Sequence, residues 1–469
     1  MNVTGPLLAL SLMVLVGCSS ASQFNAAVDA ASSPDAAAPD ANFNFGEAST
    51  GADACVNLQC DVPSCPTTVS GTVFDPAGQV PLYDVAVYIP NAALGPISTG
   101  VDITTCEACA APLSGSPLSV ALTDSHGHFT LSNVPVSKTP VQLVLQAGKF
   151  RRETLFLPPI TACQDNPISD PSHNVRLPKM QSEGHLPLIA VATGSCDNLE
   201  GLLGPTIGSV PGFGIDSSEF QPGPPTGTGR VHVYQSSDGS PTSPAYVMWN
   251  SSALYGYDIV VSDCECGPQD RGPNGYANMK TYLDHGGRYF GSHWEYDFLG
   301  DTAAPPEWQT AVHWYPQWTD ESDGYWAPSN TCMIDTTFPK GQALDEWTQF
   351  VYSNGYITGA PTPPVGTSPV FGNTAALISG ETHAGVTRWI YADSTNASEP
   401  YTSTGYDAHY LSIDMPYSAT PGSTQCGRAF FGDTHIVGEP TQQSALEFVF
   451  FDLSSCVQDE SQQPVTPPY

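Results

Sequence analysis

The chain has 469 residues, 13 Lys and Arg against 46 Asp and Glu, and a formal charge of −33. So acidic a chain excludes a nucleic-acid partner, whose phosphates need a basic surface to neutralise them. Only 13 % of residues are charged while Gly and Pro number 43 and 44, which excludes a coiled coil. Hydrophobic residues make up 40 % with 8 Trp and 20 Tyr, enough for a sizeable core and, at roughly 100–200 residues per domain, for two or three domains.

The apolar run Leu7 to Gly17 is shorter than the roughly 20 residues of a spanning helix and reads as an export signal over residues 1–17. Leu15-Val16-Gly17-Cys18 resembles the bacterial lipobox, which implies lipidation at Cys18, an anchor in the membrane and, with Ser19 following, outer-membrane sorting. Met1 to Pro6 lacks the usual Lys or Arg, so an ordinary signal peptide is the alternative. Residues 18–54 are rich in Ala, Ser, Asp and Pro, with five acids and no base after Cys18, and read as a disordered tether.

Removing Cys18 from 13 cysteines leaves an even number, as expected of disulfides in an oxidising compartment. Cys55, Cys60, Cys65, Cys106, Cys109 and Cys163 lie in one half; Cys196, Cys264, Cys266, Cys332, Cys426 and Cys456 lie in the other. Internal pairing within each half is expected, with a boundary near 180 and with Cys264 and Cys266 joined to different partners. Cys196 and Cys264 also sit at predicted strand ends, where a nucleophile would be useful.

Residues 55–180 alternate with period 2 between Gly/Pro turns: 68–74, 84–89, Phe129 with Leu131, 141–145 and 154–157. The pattern predicts a small all-β sandwich. Ser70-Gly71-Thr72-Val73, Pro81-Leu82-Tyr83-Asp84-Val85 and Thr123-Asp124-Ser125-His126-Gly127-His128-Phe129 resemble the carboxypeptidase regulatory-like (transthyretin-like) domain. That resemblance implies an accessory module without catalytic residues, in which His126 and His128 are solvent-facing turn residues.

From 181 to 469 buried apolar runs alternate with helical patterns. Leu188 to Ala192, Asp258 to Val261, Arg288 to Gly291 and Gly427 to Gly432 read as strands. Leu199 to Leu203, Tyr276 to His285 and an amphipathic Ala445 to Leu453 read as helices. The alternation predicts a doubly wound α/β domain with a mostly parallel sheet, flavodoxin-like in outline. The segments Tyr257 to Asp263, Gly286 to His293 and Gly427 to His435 resemble the class I glutamine-amidotransferase-like fold, most nearly its ThuA-like branch. The resemblance implies a strand-to-helix elbow at His293, where glutaminases carry cysteine, and so argues against glutaminase activity. The whole order resembles myxobacterial-type surface lipoproteins. Some of these carry a tryptophan synthase label, but no eightfold βα repeat supports that chemistry.

In open α/β sheets ligands collect beyond the carboxyl ends of the strands. His293, His435, Asp433 and Glu295 are therefore the catalytic candidates, and Asp263, Glu265, Trp294 and Trp314 the binding candidates. If they converge, imidazoles and carboxylates admit a divalent metal or acid–base chemistry; otherwise they are caps and loop residues. His293-Trp294-Glu295 also echoes the deaminase His-x-Glu, but the Pro-Cys-x-x-Cys that should follow is missing. Trp294, Trp308, Trp314, Trp318, Trp326 and Trp347 fill an insertion at about 294–347, which suits carbohydrate stacking or a small core of its own. Its acids Asp320, Glu321 and Asp323 lack EF-hand spacing for calcium. The favoured expectation is a ligand-binding envelope lipoprotein, with carbohydrate or an envelope protein as partner. The alternative is a carbohydrate-processing or metal-dependent hydrolase. The two separate on whether His293 and His435 lie within a few ångström of each other.

Overall fold

A computed structural model describes residues 55–109, 111–207, 210–236, 240–314, 332–368, 378–379, 385–393, 406–417, 424–436 and 440–469. The signal, Cys18 and the tether lie outside them, as do Tyr315, Trp318, Asp320, Glu321, Asp323, Tyr325 and Trp326. Cys55–Tyr469 forms one compact unit. No described helix is long and apolar enough to cross a membrane.

The period-2 segments form a three-stranded sheet (His128–Leu131, Thr68–Thr72, Asp165–Pro167) and a five-stranded one (Pro117–Leu122, Ala86–Pro90, Gln142–Ala147, Phe150–Phe156, Gly184–His185). Alternation is clearest in His128–Leu131, where Phe129 and Leu131 are buried between exposed neighbours. Past Gly184 the apolar runs build a nine-stranded mixed sheet. Its order is Phe220–Pro222, Val231–Gln235, Ile189–Thr193, Ile259–Ser262, Arg288–Ser292, Gly427–Gly432, Tyr406–Met415, Val386–Asp393 and Met333–Ile334. The first six strands pair in parallel and the last three add antiparallel. The central strands are buried on both faces, which is why they read as continuous apolar runs.

Helix Gly275–Asp284 turns Met279, Tyr282 and Leu283 into the core and stops before Gly286, whose φ of 104° a side chain would strain. Helix Pro339–Ser353 opens on a proline whose missing N–H is no loss there. Helix Pro440–Ser454 departs from the expected amphipathic pattern, because every residue from 444 to 454 is buried. The physical reason is a second cover. Phe450 and Phe451 meet Phe150 of the five-stranded sheet, and Tyr83 stacks on Phe448 at 5.4 Å. Trp347 donates its indole N–H to Pro81 O at 2.6 Å. One apolar cluster runs from Val69 to Leu453 through both halves.

The disulfides follow that packing. Cys55–Cys60 and Cys65–Cys163 lie in the first half and Cys196–Cys266 in the second. Cys106–Cys426 and Cys109–Cys456 cross between them, which corrects the expected internal pairing. Past Ala86–Pro90 the chain leaves the five-stranded sheet, and Cys106 reaches Cys426, just before the Gly427–Gly432 strand, while Cys109 reaches Cys456, just after helix Pro440–Ser454. Cys264 and Cys332 are buried and lie outside these disulfides, a second correction to the disulfide candidates.

Candidate functional site at the strand ends

Four adjacent parallel strands, Ile189–Thr193, Ile259–Ser262, Arg288–Ser292 and Gly427–Gly432, end side by side. After Ser292 the chain turns sharply through the short 3-10 turn His293–Tyr296 into helix Asp297–Gly300. His293 makes that turn at φ 48°, a left-handed conformation that costs a non-glycine residue roughly 1–3 kcal/mol. The bend sets its ring against that of His435, with centroids 4.0 Å apart and planes 28° from parallel. Trp294 stands edge-on to His293 at 5.5 Å. The two histidines expected from the sequence therefore meet.

Asp197, from the loop after Ile189–Thr193, organises the pair. Its Oδ1 accepts from His435 Nδ1 at 3.0 Å and from the Ile436 N–H at 2.8 Å. Its Oδ2 accepts from Ser292 Oγ and from the Cys264 N–H at 3.4 Å. With only acceptors to offer, the carboxylate places the His435 proton on Nδ1 and leaves Nε2 the basic nitrogen. Cys264 Sγ lies 3.4 Å from His293 Nδ1.

Burial grades the cluster. The Asp197 side chain is 0 % exposed and that of His435 25 %, so His435 is the member of this pair that meets solvent. Burial, then the neighbouring His435, pushes His293 down to about 3, so its ring is neutral at neutral pH. Burial, then Asp197, raises the Cys264 thiol, which stays protonated.

The carboxylate candidates go elsewhere. Glu295 accepts from Arg271 Nη2 at 2.9 Å and from Ser262 Oγ, and Glu265 accepts from Arg271 Nη1 at 2.8 Å and from Ser236 Oγ. Burial pushes Glu295 and Asp297 up to about 7 each, with Arg271 opposing. A buried arginine gathers its counter-charges, and this draws both glutamates away from the imidazoles. Asp433 pairs with His409 Nδ1 at 2.8 Å inside the sheet rather than with His435. Burial opposes charge on His409, yet Asp433 and then Cys332 hold its pKa well above the ordinary histidine value. Asp263 accepts the Leu199 N–H at the start of helix Leu199–Leu203, and burial, then Glu200, keeps it protonated. Trp294 is buried beside the pair, and Trp314 lies in the short strand His313–Trp314, its side chain outside the described residues.

Ligand atoms of Cys196, Cys264 and His435 fall within 4.8 Å of one another, but Cys196 is committed to a disulfide and has no thiolate to offer a metal. Asp124, His126 and His128 also cluster, at the turn that opens strand His128–Leu131. There Asp124 Oδ1 accepts the N–H groups of both histidines, so the turn's own hydrogen bonds account for the grouping.

Asp197, Ser292, Arg271 and His409 are the residues that sequence reasoning passed over. Asp197 had a signal, since it follows the first parallel strand as His293 and His435 follow theirs. Comparison with protein-family models, curated proteins and solved structures finds no match. The functional reading rests on the chain's own residues.

Proposed function

We propose that this chain is an exported, lipid-anchored envelope protein whose α/β half, of amidotransferase-like and most nearly ThuA-like build, carries a histidine acid–base site for a carbohydrate. The observation that carries it is the stacked His293–His435 pair at the parallel strand ends, with Asp197 fixing one tautomer. His435 Nε2 accepts a proton from a ligand hydroxyl or from carbon beside a carbonyl. Asp197 stabilises the imidazolium through Nδ1–H. His293 stays neutral beneath it, so the new cation does not face a second one 4.0 Å away. A polyhydroxylated ligand suits a site where a solvent-facing imidazole lies among hydrogen-bonding groups and a tryptophan.

The lipobox likeness and the even cysteine number support export. The pair's closeness favours the processing reading over a pure envelope scaffold. A thermal-shift screen of the oxidised protein against mono- and oligosaccharides tests it. A ligand at about 100 times its Kd adds roughly 2.7 kcal/mol of stability. The shift is expected with wild type and lost with His435→Ala. A shift of equal size in the variant would place the binding elsewhere, and no shift with any saccharide would remove the carbohydrate reading.

A further inference from the structure

The strand ends hold three cysteines and one disulfide. Cys196 and Cys266 are bonded, and the Cys264 sulfur lies within 4.8 Å of the Cys196 sulfur. The Cys266 N–H donates to Cys264 Sγ at 3.3 Å. Backbone contacts clamp the two loops: Cys196 N–H donates to Cys264 O at 3.2 Å, and a Cβ on Gly194 would sit 1.9 Å from that same oxygen. Only glycine permits so close an approach, and it holds the Cys196 loop against the Cys264 loop. Cys264 is fully buried while Cys266 is half-buried at φ 64°.

We propose that Cys264 is the attacking thiol of an internal thiol–disulfide exchange that moves the bridge from Cys196–Cys266 to Cys196–Cys264 and presents Cys266 as a thiol. The step balances without an outside oxidant. The small thiolate fraction of Cys264, its proton released to solvent, attacks, and its electron pair forms the new bond to Cys196 Sγ. The Cys196–Cys266 bond breaks, its electron pair leaves on Cys266 Sγ, and that sulfur takes up a proton. One disulfide and one thiol are present before and after. The exchange takes Cys264 from its contact with His293 and puts a reactive sulfur in the half-exposed loop, where a small disulfide can form a mixed disulfide with it. This does not depend on the carbohydrate reading, because it needs no ligand at His435.

The test starts from full-length oxidised protein in which peptide mapping finds Cys196–Cys266 and no Cys196–Cys264. The protein is incubated natively with a maleimide and mapped again without reduction. The expected result is label on Cys266 with Cys196 unlabelled, together with recovery of the Cys196–Cys264 peptide pair. In Cys264→Ser both are lost. Label confined to Cys264, or absent from all three with Cys196–Cys266 unchanged, would overturn the proposal. Label on both Cys196 and Cys266 would mean reduction rather than exchange and would overturn it too. Should Cys264→Ser fail to fold, the wild-type map decides by itself, since the new linkage arises from that starting material only by exchange.

Discussion

Two histidine–aspartate pairs flank the end of the Gly427–Gly432 strand, and they have different fates. His409 and Asp433 are 2 % and 0 % exposed and close an ion pair inside the sheet. His435 and Asp197 make a similar contact, at 3.0 Å, but the His435 side chain is 25 % exposed and its ring faces a second imidazole. The chemistry of the two pairs is nearly the same, so surroundings decide the role. A fully enclosed pair has no ligand to meet and serves the fold. A pair with one open edge, at the end of a parallel strand, can exchange protons with a ligand.

The largest expected effect breaks the enclosed pair. His409→Ala leaves Asp433 buried and unpaired, and removing one partner of a buried pair costs about 3–5 kcal/mol. Urea denaturation of the variant reads the loss. His435→Ala, at the open pair, is expected to cost about 1 kcal/mol or less while abolishing ligand response. Equal losses in the two variants would erase the distinction between them.

The next effect sharpens the comparison through pH. His293 is held at about 3 in the folded protein against an ordinary 6.5, so its neutral form is what the fold favours. The unfolded chain takes up the proton first. This contribution is therefore full above 6.5 and is lost as pH falls from 6.5 towards 3, by of order 4–5 kcal/mol over the whole window. Glu295 and Asp297, raised to about 7, act with the opposite sign: their contribution is full below their ordinary values and lost as pH rises through 7. The difference between wild type and His293→Asn isolates the histidine, because asparagine tolerates the left-handed turn. Chemical denaturation from pH 7 to 4 should show the stability of wild type falling relative to that of the variant.

A comparable or smaller effect concerns the link between the halves. Removing Cys106–Cys426 with a double alanine variant is expected to cost about 2–5 kcal/mol. The crossing apolar core should still hold the two halves together, so a single unfolding transition should persist in calorimetry. Two separated transitions would make the halves independent.

Much of the architecture was legible in the sequence, for a physical reason. Strands such as Ile259–Ser262 are buried on both faces and read as unbroken apolar runs, while His128–Leu131, buried on one face, alternates. The strand-end rule also found His293 and His435. What it could not give was partnership. Asp433 and His435 lie two residues apart, yet they face different neighbours, His409 across the strand pair and Asp197 in another loop. Glu295 follows His293 by two and is drawn to Arg271, whose own role shows only once residue 271 is packed against three carboxylates. Helix Pro440–Ser454 reads as amphipathic in the sequence because the residues that cover its outer face, Tyr83 and Phe150, come from far earlier in the chain.

The stacked imidazole pair is the centre of this account, and histidine ¹⁵N NMR of the selectively labelled protein tests it most directly. His293 is expected to stay neutral down to its value of about 3 and to show cross-ring contacts to His435, whose proton sits on Nδ1. Independent titration of His293 near 6.5, without contacts between the rings, would contradict it.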